Sequence, residues 1–227
     1  MKVYIGHDPR EQQAFDVAAI SFRAFGCEVI PLRSDVLRAA GILTRTTDTR
    51  GQMWDFNSSA NQSTEFAITR FAVPILAHAG WCLFADSDTL CMANPDELLA
   101  VADPQYAVMV VKHVPLQDEG TKMRGQIQAA YQRKNWSSVC LWNVDHPANR
   151  RLNLTTLNQW PGRDLHAFKW LADSEIGELS PEWNHLVGIN RPNDGAKILH
   201  FTQGVPTMPG YENCESADVW RSVASQR

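Results

Sequence analysis

Residues 2–32 limit the fold more tightly than any other stretch. Lys2–Gly6 alternates and carries β-branched residues, the pattern of a first strand, and it stops at Gly6 and the turn residues Asp8 and Pro9. Residues 11–25 then place Phe15, Val17, Ala18, Ile20, Phe22 and Phe25 at helical spacing, and Gly26 ends the helix. Cys27–Leu32 returns to a strand pattern. A strand, a helix and a second strand in direct succession predict a βαβ unit, and βαβ units build parallel sheets.

The rest of the chain continues in the same style. Residues 63–78 return to helical spacing, with Ser63 as a candidate cap and Pro74 as a kink. A strand at 81–85, a short helix from Pro95 to Val101 and the strand "YAVMVV" follow. "SSVCLWN" is a further strand, "PANRRLNLTTLNQW" a helix and "AKILHF" a last strand. Two polar stretches, 41–62 and 113–136, lack periodicity, and loops that long inside a domain are usually functional. We find no repeat or linker, so the expectation is one α/β domain over residues 1–227, a Rossmann-like, mostly parallel mixed sheet flanked by helices.

Composition narrows the partners. A formal net charge of −4 leaves no cationic excess for phosphate backbones, which disfavours nucleic acid. The five cysteines are scattered, odd in number and without a CxxC, which points to a reducing, cytoplasmic setting and no disulfide framework. The start "MKVYIGHDPRE" does not read as a signal peptide, and no apolar run is long enough to cross a bilayer.

The chemistry concentrates in "FADSDTL", residues 84–90. Asp86 and Asp88 lie at a strand end, where residues i and i+2 point to one side and where α/β proteins bind ligands. Hard divalent cations prefer such carboxylates. Taken alone, Asp-x-Asp is a weak motif and fits a capped, solvated turn better than a metal site.

Context separates the two readings. Residues 68–99, "ITRFAVPILAHAGWCLFADSDTLCMANPDELL", resemble the core of glycosyltransferase family 8 and its relatives, in which an Arg-bearing helix precedes a strand ending in Asp-x-Asp. "KILHFTQG" (197–204) is similar to that family's C-terminal His-Phe-Ser/Thr-Gly, and "VYIGHDPREQQAF" (3–15) to its nucleotide-binding first strand and loop. The resemblance implies a metal-dependent GT-A type transferase. It places manganese or magnesium on Asp86, Asp88 and His200, and the nucleotide of a UDP-sugar on Gly6, His7 and Asp8. It also brings Arg70, Asp86 and Gly204 near the donor, and gives His166 the place of the family's Gln beside the reacting carbon. Without the resemblance, Arg70 suits a snorkelling helix residue or a partner of Glu65, and Asp8 a helix cap.

There are departures. Ser137 and Ser138 stand where the family opens a strand with Asn-Ser/Ala-Gly, and "GVPTMPGYENC" lacks the family's diphosphate-binding Lys, a charge left to the metal, Arg70 or a cation such as Lys169. The expected activity is transfer of a sugar from a nucleotide donor, UDP in first place, to an acceptor hydroxyl with retention. The acceptor is a glycan, a lipid-linked glycan or a protein. The alternatives are a nucleotidyltransferase making a sugar nucleotide, or a non-catalytic nucleotide-sugar binding module. A nucleotidyltransferase is expected to carry a Gly-rich basic loop after its first strand, which "GHDPRE" does not supply.

Overall fold

The computed structural model describes residues 1–48, 53–114, 133 and 135–226, with the backbone alone of 121–122 and 126–127. The strands of the two main sheets are β1 (Lys2–His7), β2 (Glu28–Arg33), β3 (Trp81–Ala85), β4 (Thr89–Cys91), β5 (Val108–Val110), β6 (Val139–Asn143), β7 (Ile176–Glu178), β8 (His185–Leu186) and β9 (Ile198–His200). The helices are α1 (Gln12–Arg23), α2 (Ser34–Ala39), α3 (Phe66–Thr69), α4 (Val73–Leu76), α5 (Glu97–Val101), α6 (Leu154–Gln159), α7 (Gly162–His166) and α8 (Ala217–Ala224).

The opening forms the expected βαβ unit, with β1 parallel to β2 from Lys2↔Glu28 to His7↔Arg33. The central sheet has the order β7-β5-β6-β3-β1-β2, and within it β6 alone runs against its neighbours. A mostly parallel mixed α/β sheet was the expectation, and it is the finding. Strand side chains alternate between two covered faces, as a period of two requires. Tyr4, Phe84, Val110 and Trp142 pack on one face against α3 and α4, while Val3, Ile5, Leu83 and Leu141 pack on the other against α1.

A smaller sheet, β8-β9-β4, runs beside the first, and α1 packs against both β4 and α8. These strands are three residues long or shorter, which is why β4, β7 and β8 have no periodicity to read. The C-terminal helix α8 was not expected either. It buries Trp220 with Val17 and Phe201.

Three helix expectations need correction. Residues 63–78 form α3, a 3-10 turn at Arg70–Ala72 and α4, not one kinked helix. Pro74 sits in the first turn of α4, where its missing N–H costs nothing. Ser63 is not the cap, because Glu65 precedes α3 and no side chain caps it. Residues 147–160 break into a 3-10 turn, Pro147–Arg151, and α6, because the Asn153 side chain accepts from Thr156 N at 3.0 Å and starts a new helix.

Of the two polar stretches, 49–52 and most of 113–136 lie outside the described residues. The described part of 41–62 holds short ladders at Thr47–Asp48, Trp54–Asp55 and Ala60–Asn61. It is anchored by Arg45, discussed below. All five cysteines are unpaired, and burial pushes the thiols of Cys82 and Cys91 up to about 12, so neither is a nucleophile at neutral pH. Among the described residues no helix is long and apolar enough to cross a membrane.

Gly6 shows why a glycine ends β1. A Cβ there would lie 2.4 Å from the Phe66 ring of α3. Gly6→Ala is therefore expected to destabilise the fold by about 1–3 kcal/mol through overpacking, read as a lower urea midpoint. An unchanged midpoint would mean that α3 can move away freely.

Candidate active site

Strands β1, β2 and β3 run in parallel, so their carboxyl ends share one edge of the sheet. Asp8 follows β1, Ser34 follows β2 and Asp86 follows β3. Because β6 is antiparallel, its amino end meets the same edge, with Val139 opposite Ala85. That register sets Ser138 beside Asp86, whose N–H donates to the Ser138 carbonyl at 2.9 Å.

The chain turns at Ser87, and Thr89 Oγ1 donates to the Asp86 carbonyl at 2.7 Å. Phe201 N donates to the Asp88 carbonyl at 2.9 Å and draws the end of β9 onto this turn. The result is a buried cluster: one ligand atom each from Asp86, Asp88 and His200, all within 4.8 Å of one another. His200 Nε2 lies 3.3 Å from Asp88 Oδ1.

The His200 ring is held from behind. Asn184 Nδ2 donates to Ser138 Oγ at 3.0 Å and to the Asn135 carbonyl at 3.3 Å. Its Oδ1 therefore accepts from His200 Nδ1 at 3.0 Å. That bond puts a proton on Nδ1 and turns Nε2 toward Asp88. His113 lies nearby, and burial followed by the neighbouring His200 pushes it down to about 4, so it adds no positive charge to this corner at neutral pH.

Arg70 is buried with Asp86, not snorkelling and not paired with Glu65. Its Nη1 lies 2.9 Å from Asp86 Oδ1 and donates to the Ser137 carbonyl at 3.0 Å. The guanidinium sits 5.4 Å from the Phe66 ring centroid and 5.2 Å from that of Phe84, where cation–π attraction holds it. His166, at the end of α7, has its Nδ1 2.7 Å from Ser137 Oγ. Ser137 thus joins His166 to Arg70 and, through it, to Asp86.

Asp8 caps the turn after β1 and accepts from Arg10 N and Nε at 2.9 Å and from Glu65 N at 3.1 Å. Burial raises its carboxyl, but the Arg10 and Glu65 hydrogen bonds outweigh this and hold it below the usual carboxylate value. The cap expectation is met, and the group remains beside the sheet edge. His7 Nε2 lies 2.9 Å from Gln12 Oε1, with its ring edge-on to Phe15. Gly204 follows the His200 strand, and a Cβ there would lie 2.4 Å from the Tyr211 ring. Lys169 bonds Asp164 Oδ1 at 2.6 Å and is more than half exposed.

Sequence reasoning missed Asn184, Ser138 and His113 as members of this cluster. The Ser-Ser pair was visible as a segment, but no local pattern says which side chain turns toward His200.

No family model matches the chain. Protein CDI of Arabidopsis thaliana is 38% identical over 228 residues, an alignment covering 96% of this chain and 84% of that protein. The chain belongs to the Protein CDI family. Its fold is similar to that of the bifunctional glycosyltransferase WbbM (TM-score 0.63, 14% identity, 99% of this chain), to GlyE of Streptococcus pneumoniae (0.59, 13%, 98%) and to the galactosyltransferase LgtC, solved with donor and acceptor sugar analogues (0.57, 12%, 100%). It spans 49% of the WbbM chain and 59% of the GlyE chain, but 96% of LgtC. This member of the Protein CDI family therefore has the GT-A type fold, and the family 8-like resemblance is borne out at the level of fold.

Proposed function

We propose that the chain is a metal-dependent glycosyltransferase that moves a sugar from a nucleoside diphosphate donor, UDP-sugars in first place, to an acceptor hydroxyl with retention. The observation that carries this reading is the convergence of Asp86, Asp88 and His200 at the carboxyl edge of a GT-A sheet. Two carboxylates and an imidazole nitrogen fit manganese, with magnesium second. A bound cation would supply Lewis-acid stabilisation of the departing diphosphate.

The protein groups divide the remaining work. Gly6, His7 and Asp8 hold the base and ribose, and Gly204 lets the backbone lie close to the diphosphate. Arg70 fixes Asp86 and brings a buried positive charge toward the donor. His166, held by Ser137, orients the sugar at the reacting carbon. All of them act within one domain, residues 1–227, in a cytoplasmic setting that the unpaired cysteines favour.

The test is nucleoside diphosphate release from a panel of UDP- and GDP-sugars with manganese, with and without candidate glycan acceptors. Metal-dependent release supports the transferase. Binding without release in any combination supports a passive module, and pyrophosphate formed from a sugar phosphate and a nucleoside triphosphate supports a nucleotidyltransferase.

The buried Asn184 bond to His200 yields a second expectation. Asn184→Ala should weaken manganese binding about 10–100-fold, as loss of an outer-shell partner typically does, measured by manganese EPR titration. Equal affinity in the variant would remove His200 from the ligand set.

A further inference from the structure

A cavity among the described residues is not used by this reading. A pocket of about 240 Å³ opens between α2, α3 and residues 43–47 and 53–62, at the carboxyl end of β2. Its walls also build the centre described above. Of its lining residues, Glu65 donates its N–H to Asp8 at 3.1 Å, and Ile68 lies in α3, which leads directly into Arg70.

We infer that this pocket is a subsite for a neutral saccharide unit of the acceptor, an assignment that rests on the glycosyltransferase reading. Its chemistry separates three kinds of ligand. Two guanidiniums, Arg38 and Arg45, and two carboxylates, Asp35 and Glu65, line it, with Arg45 paired to buried Asp55 and Asp35 to Arg33. The charged side chains among the described lining residues sum to zero, so a phosphate gains little net attraction from them. A nucleobase would need an aromatic platform, and none of the described residues lining the pocket is aromatic. A sugar ring needs an aliphatic surface for its C–H face and planar polar groups for its hydroxyls. Leu43, Met53 and Ile68 provide the first, and Asp35, Gln62 and Glu65 the second.

The polar groups are preorganised. Arg38 donates to the Arg45 carbonyl at 2.6 Å and to Thr47 Oγ1 at 3.2 Å, Asp35 is held by Arg33 at 2.6 Å, and Glu65 accepts from Ser34 Oγ. Fixed donors and acceptors lower the ordering cost of binding. A sugar seated here would hold the acceptor chain while its reacting hydroxyl reaches the centre, the usual use of binding energy remote from the chemistry.

The test uses the full chain with ¹³C-methyl methionine. Met53 reports on the pocket, and its signal is assigned with Met53→Leu. Methyl glucoside, methyl galactoside, cellobiose, maltose, uridine and inorganic phosphate are titrated separately. The expected result is a saturable Met53 shift with at least one neutral saccharide, weakened about tenfold in Asp35→Ala and in Gln62→Ala. Absence of a saccharide shift at Met53 overturns the assignment, as does a Met53 shift with uridine or phosphate alone, or unchanged affinity in both variants. Manganese and UDP binding, measured calorimetrically on the same samples, keeps the outcomes apart. Binding there with a silent Met53 removes the subsite and leaves the transferase reading standing.

Discussion

Asp88→Ala is expected to lower metal-dependent sugar transfer by about a thousandfold, equivalent to about 4 kcal/mol of transition-state stabilisation. The reason is geometric. Asp88 Oδ1 lies 3.3 Å from His200 Nε2, so its loss would remove one proposed ligand from beside another. Lewis-acid stabilisation of a leaving diphosphate is worth several kcal/mol, and it is lost with the cation. Stability should respond in the opposite sense. Asp88 is buried beside Asp86 in the same cluster, and relieving two close carboxylates costs the metal-free fold little. Asp88→Asn, without metal, should therefore melt no lower than the parent chain, while manganese raises the melting temperature of the parent more than that of the variant. Full transfer activity in Asp88→Ala would sink the metal site. A collapsed melting temperature in Asp88→Asn would instead make Asp88 a structural residue.

The second large effect concerns stability alone. Arg45 is 2% exposed and pairs with fully buried Asp55. It also donates to Ser58 Oγ at 3.0 Å and to the carbonyls of Leu157 at 3.0 Å and Trp160 at 2.8 Å, joining Asp55 and Ser58 to the end of α6. Arg45→Met should cost about 3–5 kcal/mol in urea unfolding, because it strands a buried carboxylate. Arg45→Met combined with Asp55→Leu should cost clearly less than the sum of the single changes. Additive costs would show that the two residues act independently.

The same pair sets an acid limit. Burial raises the Asp55 carboxyl, but hydrogen bonds from Arg45 and Ser58 outweigh it and hold the group below its ordinary value, as Arg10 and Glu65 do for Asp8. A carboxylate that binds protons more weakly folded than unfolded contributes stability in full above its unfolded pKa of about 4. That contribution falls as pH drops through the depressed folded value. Urea midpoints should therefore fall below pH 4, and less steeply in the Arg45→Met, Asp55→Leu double variant.

Local chemistry determined a good part of this protein. The βαβ opening, the strand at 81–85 with its terminal Asp-x-Asp, the Asp8 cap and the last strand before His200 are all written in short-range periodicity and turn residues. Such patterns act within a few residues, so they survive without knowledge of the fold. Tertiary structure alone decided the partners. Arg70 meets Asp86 because α3 packs on the sheet face that carries Phe84. Ser138 meets Asp86 because β6 runs antiparallel to β3. Asn184 meets His200 because β8 pairs with β9. These contacts are set by strand register and helix packing between segments distant in the chain, and no local period encodes which side chain will face which.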